Sequence, residues 1–102
     1  MPETTGAGVG RVQMQHPEGR KAPSIEQSMY EPVSTAILAA VPRTGSGLLF
    51  RDLTDEVAAR TSPELWDRAS IGWYTTIIKL DLEARGLIRR VPDVVPQRLL
   101  RT

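Results

Sequence analysis

The sequence has no cysteine, one histidine and aromatic residues at only 5% of its 102 positions. Without cysteine there is no disulfide framework and no thiolate zinc site. No stretch approaches the roughly 20 apolar residues of a membrane-spanning helix, so no membrane partner is expected. One histidine and no thiol leave few groups for nucleophilic or general-base chemistry. Neither a G-x-G-x-x-G nor a P-loop is present. Gly45-Ser46-Gly47 lacks the spacing of a nucleophile elbow and reads as a flexible loop. His16 precedes a proline and reads as a turn residue. The expectation is therefore no enzyme, with no catalytic residues, no metal, no cofactor and no small-molecule ligand.

Asparagine is absent too, and arginine outnumbers lysine 11 to 2. Asparagine and lysine codons are AT-rich, whereas most arginine and alanine codons are GC-rich, so a GC-rich bacterial genome is the expected source. Lack of asparagine also removes one of the two amides that read adenine bidentately.

What is present fits one small domain. Residues 1–10, MPETTGAGVG, are small, polar and glycine-rich, with no apolar core for a signal peptide. They read as a disordered tail, and the missing leader points to the cytoplasm. Residues 11–27 form an N-terminal arm, with a weak period-2 alternation at Val12, Met14 and His16 and a turn at His16-Pro17-Glu18-Gly19. Whether the arm packs on the domain is open from the pattern alone.

The domain proper is expected over 28–102. Ser28 and Glu31 have capping-box spacing, with Pro32 in the first turn. Val33, Ile37, Leu38 and Val41 then share a helical face, and Pro42 ends it. Leu48-Leu49-Phe50 is long enough only for a stub of strand. A second helix is expected over 51–60, with Asp52, Asp55 and Glu56 in its early turns. Ser62 can cap a single turn holding Leu65 and Trp66. A third helix runs from Ser70 as N-cap to Arg85, with Gly86 as its left-handed exit. Residues 87–91 and 97–101 read as a hairpin around 92–96.

Helix, stub strand, helix, helix, hairpin is the winged-helix order, a helix-turn-helix variant. The fold class expected is mainly α (α+β): a three-helix core with a C-terminal hairpin wing and an N-terminal arm. The run Leu82-Glu83-Ala84-Arg85-Gly86-Leu87-Ile88-Arg89-Arg90 resembles the end of the third helix in many winged-helix regulators. More narrowly, the chain resembles a family of small uncharacterised bacterial proteins with a winged-helix-like core. The matching motifs are His16-Pro17-Glu18-Gly19, Ala36-Ile37-Leu38-Ala39-Ala40, Trp73 through Gly86, and Pro96-Gln97-Arg98-Leu99. The resemblance spans roughly 12–101 and implies that the arm belongs to the folded protein. It implies no activity.

At about 100° per residue, with Tyr74 at zero, the third helix sorts into three groups. Ile71, Tyr74, Ile78 and Leu82 make an ordinary core stripe. Gly72, Thr75, Thr76, Lys79 and Glu83 make a polar face. Trp73, Ile77, Leu80 and Ala84 make a second apolar group, to be covered by the arm, by the Trp66 turn or by a second subunit. Asp81 and Arg85 lie between the two apolar groups, where an ion pair is expected to be partly buried and matched or bonded to the arm's backbone.

Two partners follow. Residues 28–69 carry four basic and six acidic groups; residues 70–102 carry six basic and three acidic. The basic end coincides with the third helix and wing. Double-stranded DNA would be met by Lys79, Arg89, Arg90, Arg98 and Arg101 on phosphates and by Thr75 and Thr76 on base edges. A sequence pI near 8.2 is modest for that role. The alternative is a protein-interaction module, a homodimer above all, anchored by Trp66, Trp73, Ile77 and Leu80.

Overall fold

The computed structural model describes residues 10–102. The tail expected over 1–10 lies, apart from Gly10, outside the described residues. The elements in chain order are β1 (Arg11–Gln13), β2 (Ser24–Glu26), α1 (Gln27–Ala40), β3 (Leu48–Leu49), α2 (Phe50–Arg60), a 3-10 turn (Pro63–Trp66), α3 (Ile71–Ala84), β4 (Ile88–Arg90) and β5 (Arg98–Arg101). This is a small α+β protein: three mutually packed helices, a two-stranded antiparallel ribbon, and a three-stranded antiparallel sheet in the order β3-β5-β4. No helix among the described residues is long and apolar enough to cross a membrane.

The core is built from all parts of the chain. Val33, Ile37 and Val41 of α1 and its exit meet Leu53 and Val57 of α2, Ile78 and Leu82 of α3, and Ile88 and Leu99 of the sheet. Met14 and Ile25 join them from the arm, each 2% exposed. The arm thus packs as part of the domain. Its turn closes through Gly19 N–H to the His16 carbonyl at 2.9 Å, and His16 Nδ1 accepts the Glu18 N–H at 3.0 Å. His16 is a turn residue, as expected. β2 is an addition to the elements expected from sequence. Ser24-Ile25-Glu26 holds one apolar residue in three, too little for a period-2 signal, yet its Ile25 pairs with Val12 and fills the core.

The start of α1 differs from expectation. The helix begins at Gln27, one residue before the presumed cap, so Ser28 is in its first turn and no side-chain cap forms. Instead, the Gln27 N–H donates to the Gly10 carbonyl at 2.9 Å, and the Gln27 amide reaches Glu31 at 2.6 Å. Pairing of the arm against the helix entry does the work assigned to the cap.

α3 starts and stops where its sequence says. Ser70 Oγ accepts the Trp73 N–H at 3.1 Å. At the other end Gly86, with φ 77°, donates to the Glu83 carbonyl, and Leu87 N–H donates to the Leu82 carbonyl at 2.9 Å. That pair of bonds is a Schellman motif, which favours glycine at the left-handed position. The chain then enters β4 and returns as β5, with Ile88 opposite Arg101 and Arg90 opposite Leu99.

β5 also pairs with β3, Leu48 opposite Leu99. Gly47 sits at that junction with φ 89°, and a Cβ there would lie 2.7 Å from the Leu99 carbonyl oxygen. The glycine-rich segment read as a flexible loop thus ends in a tight backbone approach, fixed further by Arg98 donating to the Gly47 carbonyl at 3.1 Å.

Candidate interaction surface

The chemistry of α3 depends on which way it is turned. Ile78 and Leu82 face the core as expected, but Thr75 and Lys79 face it too, at 0% and 2% exposure. The polar face expected for base and phosphate contacts is therefore largely internal. This corrects the assignment of Thr75 and Lys79 as DNA-contacting residues, because neither side chain reaches solvent.

The physical reason lies in what each polar group meets. The Lys79 ammonium stands 4.7 Å from the centroid of the Phe50 ring and pairs with Glu83 one turn on. An aliphatic stem, a cation–π contact and a matched carboxylate make the burial tolerable. Loss of water still disfavours its charged form: burial lowers the Lys79 pKa, and Glu83 only partly offsets it. Glu83 is also held by Arg90 Nε at 3.2 Å, so Arg90 of β4 is part of this cluster. The buried Thr75 hydroxyl has no hydrogen-bond partner.

On the opposite flank, Asp81 is fully buried with both carboxylate oxygens hydrogen-bonded. Its Oδ1 accepts the Gln15 backbone N–H at 2.9 Å, and its Oδ2 accepts the Tyr30 hydroxyl and Arg85 Nε, both at 2.8 Å. Both outcomes expected for the Asp81–Arg85 pair hold at once. It is a matched ion pair, and it is bound to the arm's backbone. Burial first, and then the hydrogen bond to Asp81, push the Tyr30 pKa up to about 12.

With the Thr75–Lys79 side turned inward, the outward side of α3 is apolar. Trp73 is 46% exposed, and Leu87, just past the helix, is 42% exposed. Between them Thr76 is exposed and Ile77, Leu80 and Ala84 are half-buried. Ile77 leans on the core from its edge. The arm seals the Asp81 flank and does not enclose Trp73. The Trp66 turn does not enclose it either. Trp66 donates its indole N–H to Thr61 Oγ1 at 3.0 Å and tilts against Tyr74 at 6.2 Å. Trp73 meets Tyr74 edge-on at 5.0 Å. Two of the three covers expected for this stripe, the arm and the Trp66 turn, thus leave it open.

The other residues assigned to DNA are divided. Thr76, Arg89 and Arg90 are exposed. Arg98 and Arg101 are half-buried and donate to the Gly47 and Leu38 carbonyls. Arg89 has no ion pair among the described residues, and it projects from the edge strand β4.

Among the described residues, open grooves flank the helices. One of about 540 Å³ lies between α1 and α2, lined by small residues with Glu31 and Arg60 at its rim. Another, about 440 Å³, adjoins the N-terminal end of α3. Met29, Leu65, Ala69 and the Tyr74 ring form its apolar wall, and Glu26, Glu64 and Asp67 outnumber Arg68 at its mouth. Glu26 Oε1 accepts the Tyr74 hydroxyl at 3.2 Å. Hydrogen bonds, from its own backbone N–H first and then from Tyr74, hold the Glu26 carboxyl below its usual range. Sequence reasoning missed this groove, because its residues come from β2, α1, the 3-10 turn and α3 and share no motif.

A protein-family model described as a family of unknown function (DUF6958) matches residues 11–99. No curated protein and no solved structure matches the chain.

Proposed function

The chain belongs to that family of unknown function, DUF6958, and we propose that it acts as a protein-interaction module on a winged-helix-like scaffold, associating with a second copy of itself through the outward face of α3. One observation carries this reading: the face that a DNA-reading winged helix would present to a groove is here an apolar stripe from Trp73 to Leu87. Monomers rarely keep such a patch in water, and a half-exposed tryptophan is a good interface anchor. The stripe carries no charge, so two copies can meet across it without a desolvated ion. We propose no enzymatic role for it.

Sedimentation of the wild-type chain over a range of concentrations tests this. A reversible dimer is expected, and Trp73→Ser with Leu80→Ser should convert it to a folded monomer, the circular dichroism spectrum staying unchanged. A wild-type chain that stays monomeric at high micromolar concentration sinks the reading. If that monomer binds duplex DNA with a steep salt dependence that Arg89→Ala and Arg90→Ala reduce, the function passes to nucleic acid.

A further inference from the structure

The stripe on α3 ends in two chemically opposite regions. Near the N-terminal end lies the groove with Glu26, Glu64 and Asp67 at its mouth, walled in part by Tyr74, which Trp73 meets edge-on. Past the C-terminal end lie exposed Leu87 and the β4 arginines Arg89 and Arg90, and Arg89 is unpaired among the described residues. The helix between them has 14 residues, a span of about 21 Å.

We infer that the acidic groove is completed by a partner copy: in a two-fold dimer whose α3 helices run antiparallel, Arg89 of each copy enters the groove of the other. This rests on the reading of the α3 face as a self-association surface, and it adds the register and the residues that set it. The stripe alone falls short of the roughly 20–30 residues that a standard interface engages on each side, so contact extends past both helix ends. A parallel arrangement would stack groove on groove and wing on wing, two like-charge juxtapositions. The antiparallel arrangement puts opposite charges together at both ends, and two-fold symmetry makes the match twice. The groove suits a guanidinium. Its apolar wall includes the Tyr74 ring, a face on which arginine packs, and its mouth has carboxylates to pair with the fork of donors.

Charge reversal in complementary halves tests the register. One variant carries Glu64→Arg and Asp67→Arg, giving a basic groove facing a basic wing. The other carries Arg89→Glu, giving an acidic wing facing an acidic groove. All three positions are exposed, and circular dichroism checks that both variants fold. Each alone should dimerise at least about tenfold more weakly than wild type. Mixed in equal amounts they should form a heterodimer of near wild-type affinity, because both ends are then matched. If wild type dimerises but the mixture gains nothing over either variant, the antiparallel register is wrong and the α3 interface itself survives. If the mixture grows beyond a dimer, the contact is head-to-tail and the two-fold arrangement is overturned. A wild-type monomer overturns both.

Discussion

Asp81 and Gln15 are joined by a 2.9 Å hydrogen bond from the Gln15 backbone N–H to the Asp81 carboxylate, across 66 positions of sequence. The same carboxylate holds Tyr30 and Arg85, so the arm, α1 and α3 converge on one buried side chain. Replacing it by alanine removes the acceptor for three donors at once. Asp81→Ala should cost about 1–3 kcal/mol in denaturant unfolding, the range for leaving a buried donor without its acceptor, since the exposed Arg85 guanidinium can turn to water. The Gln15 amide should exchange with solvent far faster in the variant. A loss under about 1 kcal/mol would show that burial of Met14 and Ile25, with the Gln27–Gly10 bond, holds the arm without Asp81.

Both tyrosines should ionise late. The Tyr30 pKa is raised to about 12, by burial first and then by Asp81; that of Tyr74 is raised by burial and by Glu26. An unfolded tyrosine titrates near 10. Between that value and the folded one the unfolded chain has lost the proton and the folded chain has kept it. Stability contributed by Tyr30 is thus complete below about pH 10 and falls as pH rises toward about 12. Absorbance at 295 nm should show no tyrosinate step at the ordinary position in the folded protein. Tyr30→Phe should flatten the decline in stability above pH 10.

Thr75 is fully buried with an unpaired hydroxyl. Valine has nearly the same shape and nothing to satisfy. Thr75→Val should therefore stabilise the fold by about 1 kcal/mol, seen as a higher denaturant midpoint with unchanged slope. It should leave self-association untouched, because the residue faces away from the stripe. Destabilisation would mean that the hydroxyl has a partner.

The ends of α3 were legible because their signals are local: Ser70 needs only the N–H of Trp73, and Gly86 only its own left-handed backbone. The core stripe of the same helix was legible too, since Ile78 and Leu82 are buried as expected. That burial extends beyond the stripe to Thr75 and Lys79 was not, because periodicity marks only the apolar residues. Residue type alone puts Lys79 and Thr75 outward. The decision came instead from Phe50 and Glu83, which give the ammonium a ring and a carboxylate inside. Likewise the capping-box spacing of Ser28 and Glu31 lost to a backbone bond from Gln27 to Gly10, a partner with no side chain to advertise it. Of the surface, Trp73, Ile77 and Leu80 were visible as surplus apolar residues. The groove beside them was not, since four separate elements build it.

The strand order β3-β5-β4 has a consequence for synthesis. The middle strand is the last of the three in sequence, and both of its neighbours depend on it. While the ribosome is extending the chain, Leu48-Leu49 and Ile88–Arg90 have no sheet partner until residues 98–101 emerge from the exit tunnel. The helices can associate earlier, but the sheet closes only after the translation of its final strand. Arg101 N–H then reaches the Pro42 carbonyl at 2.7 Å, tying α1's exit to a segment made nearly sixty codons later.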